Sequence, residues 1–228
     1  MLDSFRSFDE MTTIKTTMTK LGLTGGIASG KSVVGEMFVK LGAHLIQADS
    51  VAHWLMEPGR PVYEDVVRSF GTGILNSDGT ISRPKLAEAA FGATTGASPR
   101  VKELNAIVHP AVIAHENEWM RDIGVRDPKA IAIVEAALIL EAGTADRFDY
   151  LVVVTCRPEQ RVERLAGRLG ISEEAARAEV ARRMAAQISD EERIKAADFV
   201  IDNSGALEAT ERQVRAVFAK LGDADSSL

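Results

Sequence analysis

Cysteine is nearly absent from this sequence: the 228-residue chain contains a single one, Cys156. One cysteine excludes an intramolecular disulfide framework and any zinc or iron–sulfur site built from several thiolates. Chains without disulfides are typical of reducing compartments, so we predict a cytoplasmic protein. Basic charge is also in short supply, since 27 Lys and Arg against 33 Asp and Glu give a formal net charge of −6. This balance argues against a protein that coats nucleic acid or an anionic membrane, and we predict neither partner.

Long apolar segments are missing as well. No run approaches the roughly 18 apolar residues that a membrane-spanning helix requires. Residues 1–17 mix acidic and basic side chains without an apolar stretch, which is unlike a signal peptide. We predict that they form a disordered extension outside the fold. The 46% of hydrophobic residues is nevertheless enough to build a full core.

Short apolar runs rich in Val, Ile and Leu recur along the chain. They do not alternate with polar residues, which is typical of parallel strands covered on both faces. Helical patterns lie between several of them, so the sequence predicts an open α/β fold. The five runs are Lys20–Thr24, His44–Ala48, Ile131–Val134, Leu151–Thr155 and Phe199–Ile201.

One glycine-rich turn points to a specific chemistry. The segment GGIASGKS, residues 25–32, matches GxxxxGK[ST] at every fixed position, between a predicted strand and an amphipathic helix. Backbone N–H groups of such a turn point at a polyphosphate, and the following helix adds its positive dipole end. We predict that Lys31 reaches the β- and γ-phosphates of a nucleoside triphosphate and that the Ser32 hydroxyl ligates Mg²⁺. The predicted nucleotide-binding residues are Gly25, Gly26, Ile27, Ala28, Ser29, Gly30, Lys31, Ser32 and Val33.

An aspartate follows the second predicted strand. The chain has no guanine-reading NKxD motif, which favours a small-molecule kinase over a GTPase. Asp49 ends the strand at the carboxyl edge, where ligands of open parallel sheets bind. A carboxylate at this place can accept the proton of a substrate hydroxyl during phosphoryl transfer. The alternative is a structural N-cap of the next helix, before Val51.

Arginines are frequent after the fourth predicted strand. Four of them recur at helical spacing, which predicts one basic helix face: Arg157, Arg161, Arg164 and Arg168. A mobile lid with arginines would stabilise charge on the transferred phosphoryl group and exclude water. A solvated basic face is the alternative. His109 is a candidate for substrate contact, although a lone histidine is more often structural.

Two gaps between predicted strands are too long for simple crossovers. Residues 50–128 follow the second strand and are predicted to form an inserted helical substrate domain, with Gly and Pro breaks. Residues 157–197 separate the last two strands and are predicted to form a helical lid. Residues 18–49, 129–156 and 198–221 then make up the nucleotide-binding core.

The order and spacing of these segments resemble the dephospho-CoA kinase family. The resemblance runs from Lys20 to Val217, nearly the whole folded chain. Beyond the glycine-rich turn it rests on EPG (57–59), DGTISR (78–83), LNAIVHP (104–110), LILE (138–141) and ADFVIDNSG (197–205).

The resemblance implies a P-loop NTPase fold with a five-stranded parallel sheet flanked by helices, an inserted helical CoA domain and a helical lid. It implies transfer of the ATP γ-phosphoryl group, with Mg²⁺, to the ribose 3′-hydroxyl of dephospho-CoA. Catalytic roles follow for Asp49, Lys31, Arg164 and Arg168, and a place on the substrate side for Arg83 and His109. We expect a monomer.

The chain also departs from the family pattern at two informative positions. Gln47 stands where the first acid of an Asp-Ala-Asp run is common, and Arg161 stands where Gln is usual. Two other functions stay open: a nucleoside or nucleotide kinase with another acceptor, and a non-catalytic nucleotide sensor. Turnover with a different acceptor would identify the other kinase. Binding of ATP without acceptor-dependent turnover would identify the sensor.

Overall fold

The computed structural model describes residues 18–92, 100–185 and 187–224, so the extension predicted for residues 1–17 lies outside the described residues. The described part contains five strands and nine α-helices, with single 3₁₀ turns at Thr72–Ile74 and Ala145–Arg147. In chain order they are β1 Thr19–Gly25, α1 Lys31–Lys40, β2 His44–Gln47, α2 Ala48–Leu55, α3 Pro61–Phe70, α4 Arg83–Phe91, α5 Val101–Arg126, β3 Ile131–Glu135, β4 Tyr150–Thr155, α6 Pro158–Leu169, α7 Glu173–Ala185, α8 Asp190–Ala196, β5 Phe199–Asp202 and α9 Leu207–Ala224.

The five strands form one parallel sheet in the order β2-β3-β1-β4-β5, which confirms the predicted fold class. The connection from β1 leads toward the β2 edge, whereas the connection from β3 leads toward β4 and β5. Connections that leave neighbouring strands in opposite directions open a crevice at the carboxyl ends. Register places Glu135 at that end of β3, beside Leu23 of β1 and Gln47 of β2.

Helices cover both faces of the sheet, which explains why the strands are apolar without alternation. On one face, α1 and α9 bury their apolar sides against the strands; this cluster includes Leu21, Leu23, Phe38, Ile133, Val152, Val154, Val214 and Leu221. On the other face, Met120 and Ile123 of α5 pack against Ala132 and Val134 of β3.

The helices α2 to α5 share a separate apolar cluster that includes Val51, Val66, Ile74, Leu86, Val108 and Val112. The 26-residue helix α5 contributes to this cluster with its first half and to the sheet with its second half. Pro110 lies inside α5 without ending it.

The helices α6 to α8 lie between β4 and β5 in the chain. Val162 and Leu165 of α6 pack with Val180 of α7 against Ile27 of the glycine-rich turn. Within the described residues, every helix is too short or too polar to cross a membrane.

Helix α1 offers a matched test of the core. Phe38 is fully buried in the cluster under the sheet, whereas its neighbour Val39 is 45% exposed. We expect Phe38→Ala to lower the free energy of unfolding by about 3 to 5 kcal/mol, because it removes apolar contacts and leaves a cavity. Val39→Ala should change it by less than about 0.5 kcal/mol. Urea unfolding measures both, and equal losses would contradict this packing.

Candidate active site

The glycine-rich turn lies between the end of β1 at Gly25 and the start of α1 at Lys31. Its backbone enters the left-handed region at Ala28, with φ 55°, and at Gly30, with φ 95°. Glycine is required at position 30 for two reasons. The left-handed backbone conformation is unfavourable for residues with a side chain, and a Cβ there would overlap the side-chain amide nitrogen of Asn203. Ser32 and Val33, the last residues of the predicted set, lie exposed in the first turn of α1.

The turn is held from outside through the carbonyl of Ser29. Asn203 Nδ2 donates to this oxygen at 2.9 Å and Arg164 Nη1 at 3.1 Å. Arg164 Nη2 also donates to the Asn203 carbonyl at 2.8 Å. Because C=O and N–H point in opposite directions across a trans peptide, the N–H of Gly30 faces away from these two donors.

Asn203 is a residue that sequence reasoning missed as part of the site. It follows β5, is only 6% exposed, and its Oδ1 accepts a hydrogen bond from Thr210 Oγ1 at 3.1 Å. The signal in the sequence was its place in the ADFVIDNSG segment, two residues after the end of the last predicted strand.

Lys31 folds back over the turn. Its Nζ donates to the carbonyl oxygens of Gly25 at 2.9 Å and Gly26 at 3.3 Å. Burial lowers the pKa of Lys31, and the nearby carboxylates of Glu135 and Asp49 oppose this shift. The ammonium is therefore poorly solvated and placed to gain from an anionic ligand such as a phosphate.

Glu135 is the second residue that sequence reasoning missed. It ends β3, is 8% exposed, and accepts hydrogen bonds from Ser32 Oγ at 2.8 Å and Gln47 Nε2 at 3.1 Å. A cavity of about 80 Å³, the phosphate-side cavity, is lined by Lys31, Ser32, Gln47, Asp49, Glu135, Ala136 and Ala137. The available signal was an acid after the third apolar run, one residue beyond the predicted strand end.

The oxygen atoms of this cavity fit a magnesium ion carried by a nucleotide. Ser32 and Glu135 lie in contact beside Lys31, and Mg²⁺ prefers oxygen ligands. No group of three or more His, Cys, Asp or Glu side chains suited to a metal occurs in the described ranges. A Mg²⁺ ion that arrives with a nucleotide needs no such group, because one or two carboxylates and the phosphates are enough to hold it.

Asp49 lies beyond the end of β2, which stops at Gln47. The prediction that Asp49 ends the strand is therefore wrong, and so is the alternative that it caps the next helix. Helix α2 begins at Ala48 with Gln47 in the cap position, and Asp49 is an exposed residue of its first turn. Among the described residues, none forms a hydrogen bond or ion pair with the Asp49 carboxylate. The carboxylate is therefore available to a ligand that enters the phosphate-side cavity.

A second, larger cavity of about 280 Å³ lies between α2, α5 and the segment after β3, and we call it the acceptor cavity. Its wall is mostly apolar and includes Ala52, Met56, Leu104, Val108, Val112 and Ile139. His109 also lines it, and burial lowers the pKa of this imidazole, which favours the neutral form. Asp49 borders both cavities.

An ion pair lies two turns along α5 from His109. Glu116, 2% exposed, accepts from Arg147 Nη2 at 2.9 Å, and both residues line the acceptor cavity. Burial raises the pKa of Glu116, and Arg147 opposes this shift.

Arg83 starts α4 as an exposed residue outside the lining of the acceptor cavity. Its charge nevertheless acts near the site: burial and then Arg83 lower the pKa of His53, while Asp49 opposes them. His53 was not predicted, although it follows Asp49 by four residues and so lies on the same side of α2.

The arginines after β4 do not form one exposed face. Arg157 precedes α6 and donates to the Ser204 carbonyl at 3.2 Å. Arg161 is 1% exposed and bonds Asp190 at 2.5 Å, so a solvated basic face is wrong at this position. Arg164 contacts the glycine-rich turn as described, and exposed Arg168 contributes to the lowered pKa of Lys31. Arg193 of α8, which was not predicted, contributes likewise and is 2% exposed.

Comparison with known proteins gives a consistent result. Residues 19–209 match the family model described as dephospho-CoA kinase. The dephospho-CoA kinase of Leifsonia xyli is 40% identical over 204 residues, 90% of this chain and 99% of that protein. The one from Streptomyces avermitilis is 43% identical over 205 residues, 90% of this chain and 94% of that protein.

Solved structures agree with the sequence matches. A crystal structure from Thermus thermophilus has a TM-score of 0.72 and 32% identity, covering 90% of this chain and 98% of that one. Dephospho-CoA kinase from Campylobacter jejuni has a TM-score of 0.58 and 25% identity, covering 91% and 99%. With a family model matched over most of its length and relatives about 40% identical across nearly their whole sequences, the chain belongs to the dephospho-CoA kinase family.

Proposed function

We propose that this protein transfers the γ-phosphoryl group of ATP to the ribose 3′-hydroxyl of dephospho-CoA, giving coenzyme A and ADP. The observation that carries the proposal is the position of Asp49, which borders both the phosphate-side cavity and the acceptor cavity. Family membership identifies the acceptor. The position of Asp49 supports the proposal that ATP and the acceptor meet beside its carboxylate.

On the nucleotide side, the turn from Gly25 to Gly30 receives the phosphates on its inward N–H groups and on the N-terminus of α1. Lys31 exchanges its two carbonyl contacts for phosphate oxygens. Ser32 and Glu135 would hold the Mg²⁺ that accompanies ATP, which would supply positive charge beside the phosphates. Arg168 supplies further positive charge from α6.

On the acceptor side, Asp49 accepts the proton of the attacking 3′-hydroxyl. The bond between the γ-phosphorus and the bridging oxygen breaks as the bond to the 3′-oxygen forms, and ADP leaves. His109 and Arg83 contact the acceptor. Positioning and charge neutralisation contribute more to the rate than the base does.

The remaining features of the proposal concern organisation. The core comprises residues 18–49, 129–156 and 198–221, with a substrate domain at 50–128 and a lid at 157–197. Arg164 acts from the lid by holding the Ser29 carbonyl, which ties the lid to the phosphate turn. A monomer in the cytoplasm remains our prediction for the protein in the cell.

A panel of acceptors tests the function. We expect Mg-ATP to yield ADP rapidly with dephospho-CoA and slowly with nucleosides and nucleotides, and mass spectrometry to show one phosphate added to the acceptor. Turnover with another acceptor alone would identify a different kinase. ATP binding without turnover on any acceptor would indicate a sensor.

Asp49→Asn tests the proposed base with little change in shape. We expect kcat to fall by about 10² to 10⁴-fold, because the amide cannot accept the proton, while the Kd for ATP changes little. Glu64→Gln, an exposed acid on α3, is the matched control and should keep full activity. Near-normal kcat in Asp49→Asn would remove Asp49 from the mechanism.

Lys31→Ala tests the phosphate turn. Loss of charged hydrogen bonds to the phosphates should weaken ATP binding by roughly 10- to 100-fold, as measured by calorimetry. Lys40→Ala, at the other end of α1, should leave the Kd unchanged. Equal ATP affinity in wild type and Lys31→Ala would refute the assigned contact.

A further inference from the structure

In the phosphate-side cavity, the buried carboxylate of Glu135 contacts the neutral side chain of Gln47. Gln47 ends β2, and in the parallel register it is the direct partner of Glu135 at the end of β3. Its Nε2 donates to Glu135 Oε2 at 3.1 Å, while Ser32 Oγ donates to Oε1 at 2.8 Å. Each oxygen of Glu135 is thus held by one donor.

The orientation of the Gln47 amide is itself fixed. Ser50 Oγ donates to Gln47 Oε1 at 3.3 Å, which directs the NH₂ group toward Glu135. A chain of hydrogen bonds therefore runs from the first turn of α2 through Gln47 to Glu135.

We propose that Gln47 is a positioning residue that sets the Glu135 carboxylate in the orientation in which it receives the Mg²⁺ of the bound nucleotide. This inference rests on the proposed function of the site. A carboxylate oxygen has two acceptor positions, so one hydrogen bond to each leaves one position per oxygen for the metal or its water. The amide holds the acid without adding a third negative charge to Glu135 and Asp49, the two carboxylates that line the cavity.

An acid at position 47 would act differently. It would place a second carboxylate in contact with Glu135, with no proton to donate between them, and the two like charges would repel. Gln47, in contrast, orients Glu135 by donating a hydrogen bond and adds no charge.

The test measures binding rather than turnover. Calorimetry gives the Kd of the non-hydrolysable ATP analogue with a β–γ imido bridge, with Mg²⁺ and with EDTA, for wild type and Gln47→Met. Methionine keeps the length of the side chain and removes the donor. We expect the Kd measured in EDTA to differ by less than about twofold between Gln47→Met and wild type. The gain in affinity that Mg²⁺ gives should be about tenfold smaller in the variant, which is the usual cost of losing a partner that orients a metal ligand. His44→Met, at the exposed other end of β2, should behave as wild type.

Ser50→Ala provides a second variant that leaves Gln47 and the core intact. It removes only the orienting hydroxyl, and we expect the gain from Mg²⁺ to shrink by about threefold. This variant decides the outcome if circular dichroism shows that Gln47→Met does not fold.

Two results would overturn the inference. One is an unchanged gain from Mg²⁺ in the variants, and the other is an equal loss of affinity with and without Mg²⁺, which indicates a general structural role. If wild type itself shows no binding of the analogue, the proposed nucleotide site fails instead. The two failures are therefore distinguishable.

Discussion

The carbonyl of Ser29 is the point on which the site depends. Two donors hold it, Arg164 from 135 residues away and Asn203 from 174 residues away. Because the peptide is planar, fixing this oxygen also fixes the direction of the Gly30 N–H. Glycine makes the conformation accessible, but contacts from α6 and from the residue after β5 determine which way the amides face. The proposed phosphate site therefore depends on tertiary contacts, although its sequence motif is local.

The sheet topology brings the other participants to the same edge. The connections of β1 and β3 leave in opposite directions, and the crevice between them collects Ser32, Lys31 and Glu135 on one side. Helix α2 starts at once after β2 and carries Asp49 to the border of the apolar cavity. A polar region suited to phosphates and an apolar region suited to an organic acceptor therefore meet at one carboxylate.

The sequence was sufficient to predict what depends on local pattern. Buried parallel strands appear as continuous apolar runs, and the glycine motif has fixed spacing, so the sheet and the turn were predicted within one or two residues. Glu135 and Asn203 were missed because their importance depends on register and packing between distant segments. Arg161 was assigned to a basic face because spacing shows which residues share a side of a helix. Only the fold shows that the Arg161 side chain is buried and paired with Asp190.

A crystal structure of the complex with magnesium, the β–γ imido analogue of ATP and dephospho-CoA would test the account most directly. The account predicts phosphate oxygens on the Gly30 N–H and on Lys31, which has left the carbonyls of Gly25 and Gly26. It also predicts the acceptor 3′-hydroxyl within hydrogen-bond distance of Asp49, with Ser29 still held by Arg164 and Asn203. A triphosphate bound elsewhere, or a 3′-hydroxyl far from Asp49, would contradict it.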